Sequence, residues 1–170
     1  MRDVRQAVDR HVESNPGVHF NELARNLDIA TGQAQYHLRN LLDAGSLDTQ
    51  EVRGRTHYFP PGYEPWEQRT IALLRRETVR SIIVAALEDP EPSAAGLADE
   101  LDVARSTISW HVSTLVDSDI VEKTYDQKGR SHITLTRPVE TRQLLGEVTP
   151  SLPDRLVDRF TRLVDDTLVD

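Results

Sequence analysis

The feature of this sequence that most constrains its fold is an internal repeat with a period of 74 residues. The segment 23–41 aligns with the segment 97–115 at seven identical positions. These are the pairs Leu23/Leu97, Ala24/Ala98, Leu27/Leu101, Asp28/Asp102, Ala30/Ala104, His37/His111 and Leu41/Leu115. A period of this length fits one small domain rather than a solenoid unit. The sequence therefore predicts two copies of one module.

Within each copy, apolar residues recur at helical spacing in two short runs that a turn separates. The turn is Asp28-Ile29-Ala30 in the first copy and Asp102-Val103-Ala104 in the second. Asn21 is the predicted N-cap of the helix that ends at Leu27. Two short helices joined by such a turn predict a helix-turn-helix.

The outward face of the second helix in each copy carries hydroxyl, amide, aromatic and arginine side chains. Such groups near a helix N-terminus reach base edges in a DNA major groove, and arginine binds guanine or phosphate. An ordinary amphipathic helix with a solvated face, which more often carries Glu and Lys, stays open as the alternative. The predicted DNA-contacting residues of the two helices are Thr31, Gln33, Gln35, Tyr36, Arg39, Arg105, Ser106, Thr107, Ser109, Trp110 and Ser113.

A short predicted hairpin with a basic tip follows each recognition helix. The tips are Arg53-Gly54-Arg55 and Lys128-Gly129-Arg130, in which glycine supplies the positive φ of a tight turn. Because a basic tip recurs in a chain of net charge −8, we interpret both hairpins as wings that reach phosphates or the minor groove. The predicted wing contacts are Arg53, Arg55, Lys128 and Arg130. The alternative is a solvated hairpin with incidental charge.

Two corresponding runs of residues carry a further signal: Gln35-Tyr36-His37-Leu38 through Leu41-Leu42-Asp43-Ala44-Gly45, and Ser109-Trp110-His111-Val112 through Leu115 and Ile120-Val121. They resemble the S-x-H-L…L…A-G-L-V pattern of archaeal and bacterial winged-helix regulators of the ArsR/MarR-like group. Gln35 stands where the pattern prefers Ser, and Ser118-Asp119 replaces Ala-Gly. The resemblance, over roughly 4–60 and 79–137, implies transcriptional regulation through double-stranded DNA, usually by a dimer.

The composition sets further limits. Net negative charge is the wrong sign for a simple DNA binder, but two lysines against 18 arginines and 16 aspartates resemble the composition of proteins from salt-loving archaea. The absence of cysteine excludes disulfides and thiolate metal sites. The six histidines form no close ligand pair in sequence, so core packing or phosphate contact is favoured for them, and no metal or cofactor is expected.

No apolar run approaches the ~18 residues of a membrane span, and the N-terminus is charged rather than signal-like. We therefore expect a cytoplasmic protein that does not bind membranes. No phosphate-binding glycine loop, nucleophile elbow or metalloprotease motif is present, so we expect no enzymatic activity. The alternative function is a tandem winged-helix adaptor that binds proteins; the basic wings and polar helix faces favour DNA over that function.

The expected architecture is mainly α with small β-wings, and belongs to the α+β class. We predict an N-terminal winged helix-turn-helix domain (1–62), a connecting helix (63–78), a second winged domain (79–137) and a C-terminal helical extension (138–170). An apolar stripe from Ile71 to Leu87 predicts that the connecting segment fixes the modules together, and a break near 76–78 stays open. A second apolar stripe, near the C-terminus, contains Leu156, Phe160, Leu163, Val164 and Leu168. It predicts a homodimer through the C-terminal helix or, alternatively, a helix that folds back on the domains.

Overall fold

The computed structural model describes residues 2–148, so the C-terminal stripe predicted to form a dimer lies outside the described residues. The first half contains α1 (Arg2–Ser14), β1 (Val18–His19), α2 (Phe20–Leu27), α3 (Thr31–Asp43), β2 (Asp48–Val52) and β3 (Arg55–Phe59). The second half contains α4 (Pro65–Leu74), α5 (Glu77–Glu88), α6 (Ala94–Leu101), α7 (Arg105–Asp117), β4 (Val121–Tyr125), β5 (Ser131–Leu135) and α8 (Pro138–Glu147). Among these helices, none is long and apolar enough to cross a membrane.

The repeat seen in the sequence is a repeat of structure. A shift of 74 residues places α2 on α6, α3 on α7 and most of α1 on α5. Asp28 and Asp102 cap the C-termini of α2 and α6 in the left-handed conformation, with φ of 51° and 53°. Each uses its backbone N–H to bond two carbonyls of the last helical turn. The predicted fold class, two tandem winged helix-turn-helix units of mixed α+β character, is confirmed.

The start of α2 differs from the sequence expectation. Asn21 lies inside the first turn, and His19 is the N-cap, with its Nδ1 accepting the Glu22 N–H at 3.4 Å. The residue 74 positions later, Ser93, caps α6 in the ordinary way by accepting the Gly96 N–H. The prediction for Asn21 was wrong because histidine is an uncommon cap, and the pairing of β1 with β3 decides where the helix begins.

Each wing is an antiparallel hairpin. In the first unit β1 joins it, giving the strand order β1-β3-β2, with His19 opposite His57. In the second unit β4 pairs with β5, and an isolated bridge between Ser93 and His132 takes the place of β1. Strand β1 in the first unit and the isolated bridge in the second thus connect the residues just before α2 and α6 to the last strand of each wing.

The described residues form two apolar cores of unequal size. The first lies between α1, α2 and α3 and contains Val8, Val12, Leu23, Leu38 and Leu41. The second holds most of α4 and α5 as well as the second unit. Phe59 of β3 also belongs to this second core. The connecting helix α4 is therefore a core element, and the Trp66 Nε1–H donates to the carbonyl of Asp119 at 2.8 Å.

The apolar stripe from Ile71 to Leu87 lies on two helices, because the helical conformation is interrupted at Arg75 and Arg76, between α4 and α5. A buried ion pair is formed at the break: the Arg75 Nη2 lies 2.6 Å from the Glu22 Oε1 in α2. Gly17 permits the close packing beside it. A Cβ there would lie 2.8 Å from the Cγ2 of Ile71, and the φ of +85° also favours glycine.

Candidate nucleic-acid interface

The two recognition helices bury one face and expose the other. In α3 the buried residues are Ala34, His37, Leu38 and Leu41, and in α7 they are Ile108, His111, Val112 and Leu115. The intervening residues face solvent because the apolar positions follow helical spacing. All of the sequence-predicted DNA-contacting helix residues are exposed except Thr107, which is half-buried.

Each recognition helix presents one large aromatic side chain to solvent. Tyr36 is 58% exposed and Trp110 is 56% exposed. Each ring meets the following histidine edge-on, at centroid distances of 5.2 Å for Tyr36 and 5.0 Å for Trp110. His37 and His111 thus pack in the cores and support the exposed rings from beneath.

The histidines are arranged as structural residues. Burial lowers the pKa of His57 to about 4, and its Nδ1 lies 2.7 Å from the carbonyl oxygen of Gly17. Burial also lowers the pKa of His111, and the charges of Arg53 and Arg76 lower it further. Within residues 2–148 no group of three or more His, Asp or Glu side chains is placed to hold a metal ion.

Wing 1, the hairpin of β2 and β3, closes through a two-residue turn. Arg53 and Gly54 both have positive φ, 53° and 74°, as a type I′ turn requires. The sequence anticipated this conformation for glycine but not for the arginine before it. Arg55 is exposed at the start of β3.

Arg53 itself is directed at the second unit. Its guanidinium Cζ lies 3.4 Å from the ring centroid of Trp110, and its Nη2 donates to the Trp110 carbonyl at 3.4 Å. Arg53, predicted as a DNA contact of wing 1, is thus half-buried against Trp110, a predicted DNA-contacting residue 57 positions later. No sequence signal pairs these two residues, because nothing in either copy encodes how the copies pack.

Wing 2, the hairpin of β4 and β5, has a longer tip that Asp126 organises. The Asp126 carboxylate accepts the backbone N–H groups of Lys128 and Arg130, at 2.8 and 3.0 Å, and the Arg130 Nε at 2.9 Å. It also accepts the His132 Nε2 at 3.0 Å. The sequence predicted that Arg130 lies at this tip and contacts phosphate, but it gave no sign that Arg130 pairs with Asp126. Lys128 makes no side-chain ion pair with any of the described residues.

The His132 ring makes contacts that suit its charged form. Its Nδ1 lies 3.0 Å from the Glu91 carbonyl, and both neighbours of the ring are acceptors. The imidazolium can donate to both, whereas a neutral ring donates only once. The hydrogen bond to Asp126 raises the pKa of His132, and the bond from His132 holds the pKa of Asp126 well below its usual range. Wing 2 therefore carries less unpaired positive charge than its sequence indicates.

A groove separates the recognition helix from the wing in the first unit. Its volume is about 590 Å³, and its walls come from the start of α2, the outer side of α3 and wing 1. The polar residues that line it are His19, Asn21, Gln35, Arg39, Asp43, Arg55 and Thr56. Amide and guanidinium donors from helix and wing face one open channel, which suits a polyanionic chain passing between them.

Two family models match separate parts of the chain. A model described as an N-terminal HTH domain matches residues 2–71, and a model described as a helix-turn-helix domain matches residues 78–124. A curated relative, an uncharacterized HTH-type transcriptional regulator of Methanocaldococcus jannaschii, is 25% identical over 122 residues. The match covers 72% of this chain but 31% of that protein, so this chain spans about a third of the relative's length.

Solved structures show weaker likenesses. Reduced AbfR bound to DNA aligns at a TM-score of 0.40 with 12% identity, over 82% of this chain and 94% of that chain. The endosomal complex ESCRT-II (VPS22/VPS25/VPS36) aligns at 0.32 with 12% identity, over 81% and 62%. Similarities this low carry no argument about function. The family models show that the chain contains two helix-turn-helix domains.

Proposed function

We propose that this chain is a sequence-specific DNA-binding transcriptional regulator of the ArsR/MarR-like group. The recognition helices α3 and α7 read base edges of double-stranded DNA, and the two wings hold the phosphate backbone. The observation that carries this proposal is the solvent exposure of the polar, aromatic and arginine residues on both recognition helices. The two helix-turn-helix matches and the regulator named among its relatives support it.

The net charge of −8 is the wrong sign for a DNA-binding protein, but the charge is not evenly distributed over the surface. Arg39 and Arg55 line the groove beside α3, and Arg105 is exposed at the start of α7. Binding to nucleic acid depends on the cations that meet phosphates, not on the sum over the whole surface. The proposal includes no catalytic step, and it includes a cytoplasmic site of action.

The division of labour between helix and wing can be tested by substitution. Arg105→Ala should cost ~1–3 kcal/mol on the selected duplex and relax the preference at one base position. Arg55→Ala should weaken binding to every duplex and lower the slope of log affinity against log salt by about one. Arg142→Ala, at an exposed position on α8, is the matched control and should leave both quantities unchanged.

The measurement is a fluorescence anisotropy titration at several salt concentrations. The duplexes are one selected by the wild-type protein from genomic fragments and a scrambled copy, and each variant is first checked for folding by circular dichroism. If no fragment is enriched and Arg55→Ala binds DNA as the wild type does, the proposal is wrong. The protein-binding adaptor then becomes the better explanation of the tandem fold.

A further inference from the structure

The two units meet at a contact between wing 1 and α7. Arg53 is fixed there by its turn conformation, by the stack on Trp110 and by its bond to the Trp110 carbonyl. A guanidinium over an indole face is attracted by the negative face of the ring. The contact therefore fixes a positive charge beside the second recognition helix.

Further cations converge on this junction. Burial lowers the pKa of the Arg76 guanidinium, and the neighbouring charges of Arg53 and Arg55 lower it further. Arg76 is the N-cap residue of α5, makes no capping hydrogen bond with its side chain, and is half-buried.

No carboxylate of residues 2–148 forms an ion pair with Arg53, Arg55 or Arg76. This is unusual for a chain in which 28 acidic residues outnumber 20 basic ones, and it contrasts with wing 2, where Asp126 pairs with Arg130. Like charges held close together without ion-pair partners repel one another. An anion that binds between them would relieve that repulsion.

We propose that the junction formed by Arg53, Arg55 and Arg76 binds phosphate groups of the DNA backbone as it passes from the first unit to α7. Arg53 is the positioning residue, since Trp110 holds it, while Arg55 and Arg76 supply N–H donors. The site rests on the proposed DNA-binding function and extends it: one chain engages one duplex with both units, and the stack of Arg53 on Trp110 sets their spacing.

Arg76→Gln tests the site, because Arg76 lies outside both the wings and the recognition helices. The probe is the duplex selected by the wild type, titrated at several chloride concentrations. We expect the salt slope to fall by about 0.9, the contribution of one neutralised phosphate. Arg76→Lys, which keeps the charge, should retain the wild-type slope, and Arg142→Gln on α8 should not change it. If Arg76→Gln fails to fold, Arg76→Met, which keeps the aliphatic stem and also removes the charge, replaces it.

The outcomes separate this site from the function on which it rests. If the wild type binds the duplex and the folded Arg76→Gln keeps the wild-type slope, the junction site is wrong and the DNA function stands. If the wild type binds no duplex, thermal unfolding with inorganic pyrophosphate decides between sources of phosphate. A midpoint raised in the wild type but not in Arg76→Gln assigns the site to a free phosphate compound, and no rise in either overturns it.

Discussion

The buried ion pair between Glu22 and Arg75 gives a stringent test of how the two units are joined. Glu22 is 4% exposed in α2, and Arg75 is 5% exposed at the break between α4 and α5. The Nη2–Oε1 distance is 2.6 Å, and the Arg75 Nη1 also reaches the carbonyl of Pro16 at 3.5 Å. The perturbation is Glu22→Gln, which keeps the shape and removes the charge.

The expected magnitude follows from Coulomb's law and the cost of burial. At 2.6 Å and an effective dielectric constant of about 20, two unit charges attract by roughly 6 kcal/mol. Desolvation of both ions costs several kcal/mol each, so the intact pair contributes little net stability. Glu22→Gln removes the attraction but leaves the arginine desolvated. We therefore expect the free energy of unfolding to fall by ~3–5 kcal/mol.

The assay is urea unfolding followed by circular dichroism and by tryptophan fluorescence. Glu22→Gln should lower the midpoint, whereas the double variant Glu22→Gln/Arg75→Met should recover much of the loss because no unpaired charge stays buried. Both spectroscopic signals should change together, since the pair joins the two cores. A loss below ~0.5 kcal/mol for Glu22→Gln, or separate transitions of the two units in the wild type, would refute this reasoning.

Two further predictions concern pH and assembly. Burial lowers the pKa of His57 from 6.5 to about 4, so the unfolded chain binds a proton first as the pH falls. The free energy of unfolding should therefore decrease by roughly 3 kcal/mol between pH 6.5 and pH 4. His57→Gln should flatten this dependence in urea titrations across pH, and an unchanged profile would contradict the prediction. The sequence predicts a homodimer through the apolar stripe that contains Phe160, outside the described residues. On that hypothesis Phe160→Asp should give a monomer by light scattering with helical content kept, and a monomeric wild type at micromolar concentration would exclude the dimer.

Local patterns in the sequence determined the helix-turn-helix units and their wings. Apolar residues at helical spacing predict α2, α3, α6 and α7 because burial of one face is a property of each helix alone. Asp28 and Asp102 mark the turns in both copies, and Gly54 and Gly129 have the positive φ that their hairpins require. The repeat made each of these predictions twice, which is why the fold class followed from the sequence.

The tertiary structure alone decided how the copies join. Arg53 on Trp110 and Glu22 with Arg75 are pairs separated by 57 and 53 residues, and no local spacing links their members. Each forms because α4 packs into the core of the second unit and carries the end of wing 1 with it. Contacts of this kind depend on the summed packing of many side chains. For that reason the sequence predicted candidate DNA contacts on each unit, and only the fold showed that Arg76 lies near the charges of Arg53 and Arg55.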